Sequence, residues 1–303
     1  MTGTMKHSLP LLVAVCLSLN LNACASNKQP ASGAGDAERG PKVIEVDGDP
    51  NGLWWDDAEQ VLYVADDNGN RVLRWTDDEG LSLVRELPDA SPQGAGLGQL
   101  IRTDDGTIVV TRFGYGTAGD VVFASGSRDP EIVPDLDVER RRIGLTVAED
   151  GTLFDSWFVR LATGDRVGAV GQLSLDGDEP EVLTGLQKPV GVLAVGSTLF
   201  VSDQDLGQIL KAPQSDPSSY TVLATVEQPD LLAAGPDGSL FTGSAGGNLY
   251  RVAKSDSAAV FESGFQQVRG VAYDPTNRRV FVADHDPDES DGVSHVLHIL
   301  PVD

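Results

Sequence analysis

Short apolar runs separated by Gly, Asp and Asn corners recur along most of this chain. Six of them share one phrase, an aliphatic residue followed by alternating large and small side chains, and they begin 40 to 46 residues apart. Residues 41–303 show no helical periodicity of useful length. Repeats of this length built from short β-rich runs are typical of propeller blades. The phrases occupy residues 62–66, 108–112, 153–157, 199–203, 240–244 and 280–284.

Each phrase lies among further predicted strands. An apolar segment that opens with a small or polar corner precedes it, and a third run follows it. A fourth, outer run follows the third run in only five of the six repeats. The segment 42–46 precedes the first repeat and has no sheet of its own. We therefore predict an all-β, six-bladed β-propeller with four antiparallel strands per blade, in which strand 42–46 joins the last blade. Closure of this kind removes exposed strand edges.

The first 40 residues differ from the repeats. Lys6 and an apolar stretch at 9–21 precede Leu21-Asn22-Ala23-Cys24, which resembles a bacterial lipoprotein signal with Cys24 as the lipid-bearing residue. The expected organisation is a signal peptide at 1–23, a flexible tether at 24–40 and the propeller at 41–303. An ordinary secretory peptide is the alternative. With the lipoprotein signal we expect export to the cell envelope, with a lipid anchor as the only membrane attachment.

The charge of the chain limits which partners it can bind, and its cysteine content limits which disulfides it can form. The chain has 22 basic and 46 acidic residues, a net charge of −24, which disfavours nucleic acid because phosphate binding needs basic contacts. Its two cysteines, Cys16 and Cys24, leave no disulfide in the expected mature domain, so the fold must depend on its core. We expect a monomer.

In a propeller the inner strands converge on the axis, so the repeat itself predicts which residues surround the central mouth. The corners that open the inner strands and the loops that join second to third strands should share this face. The corners are Asn51, Gly98, Ile143, Val190, Asp230 and Arg269, and the joining loops begin at Asp66, Arg112, Trp157, Asp203, Ser244 and Asp284.

The corner and strand phrases Pro50-Asn51-Gly52-Leu53, Leu62-Tyr63-Val64-Ala65-Asp66 and Pro229-Asp230-Leu231 resemble the gluconolactonase, regucalcin and strictosidine-synthase-like propellers, and more loosely NHL repeats. The resemblance covers about residues 42–303. It implies a divalent cation, calcium or zinc, held at the axis by Asn51 and Asp230, which would polarise a lactone carbonyl and acidify a bound water.

Parts of the family pattern are missing. Asn51 and Asp230 fall on the first and fifth blades, whereas the family's corresponding corners lie on successive blades. A substrate-binding phrase is replaced by Arg141-Arg142-Ile143-Gly144, and a further polar corner by Lys188-Pro189-Val190-Gly191. Arg269, the corner next to Asp230 in the ring, can pair with that carboxylate and compete with a metal.

Two other regions carry candidate chemistry. Loop residues Arg112 and Trp157 offer a cation and an aromatic face for a sugar, aromatic or carboxylate ligand, or they form a packing lid. The acidic loop 284–292 begins with alternating Asp residues, as a calcium loop does, but has Glu289 where the turn glycine belongs. His285 and His295 flank this loop as candidate bases or ligands or as strand-end residues.

Two functions remain open from the sequence. The first is metal-assisted hydrolysis of a sugar lactone or similar ester, in which Asp230 also relays protons and Arg112, Trp157 and Arg269 position the substrate. The second is a non-catalytic module that recognises a glycan, peptide or protein at the cell envelope. Serine-hydrolase, zincin and phosphate-loop motifs do not occur in the sequence.

Overall fold

Six four-stranded antiparallel sheets form a ring around a central axis. The computed structural model describes residues 41–90, 94–287 and 295–303. Numbered in chain order, the first twelve strands are β1 Lys42–Glu45, β2 Pro50–Asp56, β3 Val61–Asp66, β4 Arg71–Thr76, β5 Gly80–Glu86, β6 Leu97–Arg102, β7 Ile108–Arg112, β8 Asp120–Ala124, β9 Glu131–Ile132, β10 Arg141–Val147, β11 Leu153–Arg160 and β12 Arg166–Leu173.

The second half of the chain repeats the pattern. Its strands are β13 Glu181–Leu186, β14 Pro189–Val195, β15 Thr198–Asp203, β16 Gln208–Pro213, β17 Thr221–Thr225, β18 Pro229–Ala234, β19 Leu240–Ser244, β20 Asn248–Val252, β21 Ala258–Ser263, β22 Val268–Asp274, β23 Arg279–Asp284 and β24 Val296–Pro301. Two single 3-10 turns, Gly114–Gly116 and Pro236–Gly238, complete the assigned elements. No helix among the described residues has the length and apolar character needed to cross a bilayer.

Blades I to V each use four consecutive strands, from β2–β5 to β18–β21. Blade VI combines β22, β23 and β24 with β1 from the other end of the propeller, and β1 pairs antiparallel to β24 with Ile44 opposite Leu297. The predicted six-bladed propeller and its closure by the N-terminal strand are both confirmed. Closure leaves no blade with an unfilled fourth position.

The core lies between neighbouring blades, where the apolar faces of their twisted sheets meet. At the closure, the cluster of Leu53, Leu62, Phe281 and Leu297 joins blade I to blade VI, and Val46 from the segment after β1 packs into it. Because each blade buries its face only against its neighbours, the ring is stable when all six are present.

Removing apolar volume from the closing segment should therefore weaken the whole ring. Val46→Ala is expected to lower the free energy of unfolding by about 2 kcal/mol, because it leaves a cavity beside a buried cluster. Val43→Ala is the matched control: Val43 is 59% exposed, and its loss should cost less than about 1 kcal/mol. Urea denaturation measures both. Equal effects would mean that the N-terminal strand contributes nothing specific to closure.

Glycines at the inner corners let consecutive inner strands approach closely. A Cβ on Gly52 would lie 2.3 Å from the Gly98 carbonyl oxygen, and one on Gly270 would lie 1.9 Å from that of Asn51. The second contact joins blade VI to blade I and so completes the circle. Hydroxyl groups tie other pairs of blades: Thr111 Oγ1 donates to the Ile143 carbonyl oxygen at 2.7 Å.

Blade III contains a buried network of charges. The fully buried guanidinium of Arg142 donates from its Nη2 to Glu179 Oε2 at 2.8 Å and from its Nε to Glu179 Oε1 at 3.1 Å, and its Nη1 donates to the Asp137 carbonyl oxygen at 2.8 Å. Asp155 lies 3.4 Å from the same guanidinium. Burial, reinforced by the neighbouring Glu179, raises the pKa of Asp155 well above its usual range. Burial thus favours the neutral form of Asp155 more than water would.

Candidate functional site

All six inner-strand corners line one cavity at the axis. The pairing of the inner strand with the second strand is interrupted near the corner in every blade, for example between Pro50 and Leu53 and between Pro229 and Leu232. A bulge of this kind bends the strand and turns a side chain out of the regular alternation. The cavity has a volume of about 250 Å³, and its corner residues are Asn51, Gly98, Ile143, Val190, Asp230 and Arg269.

The rest of the lining comes from the loops on the same face. Asp67, Phe113 and Gln204 each lie one residue beyond the end of a second strand. Phe113 was expected in a loop wall over the mouth, whereas Asp67 and Gln204 were missed in the sequence because the loop starts were placed one position earlier. The missed signal is the two-residue period of a strand, which directs successive side chains to opposite faces. Other lining residues are Gly96, Leu97, Tyr115, Lys188 and Gln267.

The strand-end residues themselves hold the loops in place. Asp66 Oδ1 accepts a hydrogen bond from the backbone N–H of Asp49 at 2.9 Å, and Asp203 Oδ2 accepts one from Gln187 at 2.7 Å. Asp284 Oδ1 accepts from the N–H of Gln266 in the same way at 2.8 Å. Three Asp residues at equivalent positions therefore fix the segments that lead into the inner strands.

Arg112 is not brought to the cavity. Its guanidinium is buried between blades I and II, where Nη2 donates to the Pro88 carbonyl oxygen at 2.5 Å and to Asn70 Oδ1 at 3.1 Å. Asp120 lies 3.6 Å away, and burial lowers the pKa of Arg112 despite this carboxylate. The side chain packs within the wall of the propeller and outside the cavity lining.

Trp157 also lies outside the cavity lining. It is 5% exposed, within β11, which continues to Arg160, and the guanidinium of Arg140 lies 3.7 Å from the centre of its ring. The strand continues through this position where the sequence suggested the start of a loop, so the ring packs into the blade. The aromatic side chains that do reach the cavity are Phe113 and Tyr115, whose rings meet edge to face at 5.3 Å.

Asp230 is the most perturbed acid of the cavity. Burial raises its pKa to about 6, and the opposing effects of Arg269 and Lys188 do not cancel that cost. Its Oδ1 accepts from the N–H of Leu231 at 3.0 Å, and its Oδ2 accepts from Gln204 Nε2 at 3.2 Å. Gln204 in turn accepts from Lys188 Nζ through its side-chain oxygen. A carboxyl that titrates near neutral pH beside two cations is suited to proton transfer.

A second carboxyl, Asp67, lies in the same cavity. Burial and the nearby Asp49 raise its pKa, while the N–H of Leu97, which donates to Asp67 Oδ1 at 2.9 Å, and the charge of Arg269 act in the opposite direction. Burial also lowers the pKa of Lys188. The cavity therefore combines two carboxyls, two cations and two aromatic rings, a set that suits a small polar ligand.

Asn51 and Asp230, the ligands expected for a divalent cation at the axis, do not form a suitable site for such an ion. Asn51 and Asp230 share the cavity, but the Asn51 amide donates from Nδ2 to the Leu97 carbonyl oxygen at 2.7 Å. Asp230 lies near the positive charges of Arg269 and Lys188, which favour its ionised form. Hard cations need several anionic or neutral oxygens and no competing positive charge. The donor set around Asp230 thus favours a ligand that itself carries oxygen acceptors.

Among the described residues, one group of His and Asp side chains has metal-ligand spacing. It consists of Asp49, His285 and His295, whose potential ligand atoms all lie within 4.8 Å of one another. In the acidic loop 284–292, Asp284 pairs with His298 at 3.1 Å. Residues 288–294 lie outside the described residues. Cys24, the expected lipidation site, also lies outside them.

Comparison with known proteins shows the fold. No family model and no curated protein sequence matches the chain. A gluconolactonase from Xanthomonas campestris matches with a TM-score of 0.67 and 18% identity over 87% of this chain and 90% of that one. The calcium-binding protein regucalcin from Agrobacterium tumefaciens matches with a TM-score of 0.65 and 12% identity over 84% and 90%.

A virginiamycin B lyase from Staphylococcus aureus also matches, with a TM-score of 0.57 and 13% identity over 86% of this chain and 100% of that one. The structural neighbours thus include the gluconolactonase- and regucalcin-like propellers that the corner motifs resemble. A lactonase, a calcium-binding protein and a lyase share the architecture, so function must be argued from the site.

Proposed function

We propose that this protein hydrolyses a sugar lactone or a similar cyclic ester in its axial cavity, with Asp230 as general base. The observation that carries the proposal is the convergence of all six corners on a cavity in which one buried carboxyl has a pKa of about 6. The cavity volume of about 250 Å³ is of the size that a single small polar molecule occupies.

The reaction needs no group beyond the side chains present. Asp230 takes a proton from water as the water oxygen attacks the lactone carbonyl carbon, and the carbonyl oxygen becomes an oxyanion. Arg269 and Lys188 stabilise that charge in a poorly solvated site. When the tetrahedral intermediate collapses, the bond to the ring oxygen breaks, and protonated Asp230 returns its proton to that oxygen to give the hydroxy acid.

Other lining residues would orient the substrate. Asn51, Gln204 and Gln267 present amide groups suited to hydroxyls, and Phe113 offers an apolar face against which a sugar ring can stack. Arg112 and Trp157 act from the wall, by holding the loops, since neither lines the cavity. Binding energy from these contacts fixes the carbonyl carbon near Asp230.

A non-catalytic role is the alternative, and the missing metal set favours it. The positive charges of Arg269 and Lys188 near the Asp230 carboxyl also suit a receptor for a zwitterionic or carboxylate-bearing molecule. Such a receptor would bind hydroxy acids and lactones alike without turnover. Calorimetric binding of a sugar acid with no lactone hydrolysis would favour this role over the enzyme.

We also propose that the protein is exported and held at the cell envelope by a lipid on Cys24. The support is the sequence Leu21-Asn22-Ala23-Cys24 after an apolar stretch. An anchored propeller would meet its small-molecule ligand outside the cytoplasm. Metabolic labelling with a fatty acid analogue should mark the wild-type chain and leave Cys24→Ser unlabelled.

The pH profile of hydrolysis tests the enzyme directly. With sugar lactones as substrates and a chelator present, kcat/KM should rise as the pH increases through about 6, because Asp230 must be ionised to act as a base. It should fall again at alkaline pH as Lys188, whose pKa burial lowers, loses its charge. Proton release followed with an indicator, minus the spontaneous rate, gives the profile. A rate that is flat across this range would contradict a base at Asp230.

A further inference from the structure

Two histidines and an aspartate meet where the propeller ring is closed. His285 Nδ1 lies 2.9 Å from Asp49 Oδ1, His295 Nδ1 lies 3.5 Å from the same oxygen, and the imidazole rings stack with centres 5.1 Å apart. All three residues are buried, with exposures of 4% for Asp49, 8% for His285 and 9% for His295. Buried groups of this kind are retained when they have a partner or a ligand.

The spacing matches a tetrahedral transition-metal site. Zinc bonds to imidazole nitrogen and carboxylate oxygen at about 2.0 to 2.1 Å, which separates neighbouring tetrahedral ligands by roughly 3.3 Å. The two separations from Asp49, 2.9 and 3.5 Å, bracket that value, and the two histidine ligand atoms lie within 4.8 Å of each other. Two imidazoles with one carboxylate favour zinc or a similar first-row cation over calcium, which takes oxygen ligands.

The surroundings are acidic. Asp49 donates its backbone N–H to Asp66, a buried carboxylate that Arg71 pairs with at 2.7 Å. Asp284, immediately before His285 in the chain, pairs with His298 at 3.1 Å. Asp67, next along the chain from Asp66, donates its backbone N–H to the Asp49 carbonyl oxygen at 2.8 Å, so several acidic residues of like charge lie around this site. A bound cation would relieve this repulsion.

The topology gives such an ion a mechanical role. Asp49 lies in the short connection between β1 and β2, whereas His285 directly follows β23 and His295 directly precedes β24. One ion would therefore bind the N-terminal closing segment to the last blade. The ligands are 236 residues apart in sequence, and holding such distant segments together stabilises a folded chain by limiting the unfolded one.

We propose that Asp49, His285 and His295 bind one zinc ion, with the fourth position left to water, and that this ion fastens the closure of the ring. Binding replaces the hydrogen bond between His285 Nδ1 and Asp49, and the imidazole stays neutral with its proton on Nε2. The hydrogen bond that His295 Nδ1 accepts from the N–H of Asp286 is likewise exchanged for a metal bond. None of the three ligands lines the axial cavity, and the proposal does not depend on lactone hydrolysis.

The experiment uses the full chain, purified without an affinity tag and freed of metal with a chelator. Zinc at a hundredfold excess over its Kd should raise Tm by roughly 5 to 10 °C. Metal analysis after dialysis should give one zinc per chain. Asp49→Asn, His285→Gln and His295→Gln should each abolish stoichiometric binding.

His298→Gln is the matched control, because His298 also pairs with a buried Asp but lies outside the cluster, and it should bind zinc as the wild type does. Cobalt in place of zinc gives a visible spectrum of tetrahedral nitrogen and oxygen ligation in the wild type, a result independent of how the variants fold. A Cys16→Ser, Cys24→Ser variant should keep that spectrum.

Three results would overturn the proposal: no stoichiometric zinc, zinc that survives all three cluster substitutions, or a cobalt spectrum that depends on the cysteines. Calcium that raises Tm as much as zinc does would also contradict it. Because each readout here is binding or stability, a failure to find lactone turnover would not count against the metal site, and a failure to find zinc would not count against the proposed enzyme.

Discussion

Asp230→Asn should reduce kcat/KM for lactone hydrolysis by about 100-fold or more, because the amide cannot accept the proton of the attacking water. The same substitution should leave the fold intact. The backbone N–H of Leu231 still meets an amide oxygen, and only the hydrogen bond from Gln204 Nε2 to the carboxylate is lost. Proton-release kinetics at neutral pH measure the effect on turnover.

Asp230→Asn should raise the free energy of unfolding although it lowers the activity. The folded-state pKa of Asp230 is about 6, above its ordinary value of 3.8, so the folded chain holds this proton more tightly than the unfolded chain. The free energy of unfolding therefore falls as pH rises from about 4 to about 6, and the ionised carboxylate is a cost at neutral pH. Removing the charge should then raise stability at pH 7, on the order of 1 to 3 kcal/mol.

Asp237→Asn serves as the control for both measurements, since Asp237 lies in the same blade on an exposed turn away from the cavity. It should change neither turnover nor stability appreciably. If Asp230→Asn keeps full activity, the general base lies elsewhere and the proposed function fails in its present form. If both activity and stability fall together, Asp230 acts through structure.

Arg142→Gln should lower the free energy of unfolding by about 3 to 5 kcal/mol, the largest loss we expect from a single substitution in blade III. The guanidinium is fully buried and holds Glu179 through two hydrogen bonds and the Asp137 carbonyl oxygen through a third. Without it, a nearly buried carboxylate keeps only Arg140, at 2.5 Å, as a cationic partner. Urea denaturation followed by tryptophan fluorescence suits this blade, because Trp157 lies against Arg140.

Two further variants test whether the buried position of Arg142 and its pairing with Glu179 cause this loss of stability. Arg166→Gln breaks an exposed pair with Asp205 and should cost less than about 1 kcal/mol. Asp155→Asn should preserve or raise stability at neutral pH. Because the folded-state pKa of Asp155 is raised, its ionisation costs stability as pH rises, and an amide imitates the neutral acid. A large loss in Asp155→Asn would show that Asp155 is charged and pairs with Arg142.

The local pattern of the chain was enough to predict the ring. Each blade repeats the same short apolar runs, so the count of six and the unmatched segment 42–46 followed from spacing alone, and β1 pairs with β24 as expected. The corners Asn51, Asp230 and Arg269 were placed near one another for the same reason. Their positions in equivalent repeats make them neighbours around the axis, whatever the rest of the sequence does.

Positions at the strand ends were decided by contacts that the repeat does not encode. Asp67, Phe113 and Gln204 line the cavity. The residues immediately before them, Asp66, Arg112 and Asp203, are buried outside the cavity lining, so one residue of register separates the two outcomes. Arg112 looked like a ligand for substrate, yet its partners Asn70 and Pro88 belong to the neighbouring blade.

The sequence by itself therefore determined the architecture of this protein, because a periodic pattern of apolar residues specifies strands, blades and their order. Only the tertiary structure decided which charged groups are buried and which meet. Asp49 and His285 are 236 residues apart and meet only once the ring has closed. Arg142 meets Glu179 across 37 residues once blade III has folded, so both contacts depend on tertiary folding. Desolvation, which raises the pKa of Asp230 to about 6, arises at the same step and has no counterpart in the linear chain.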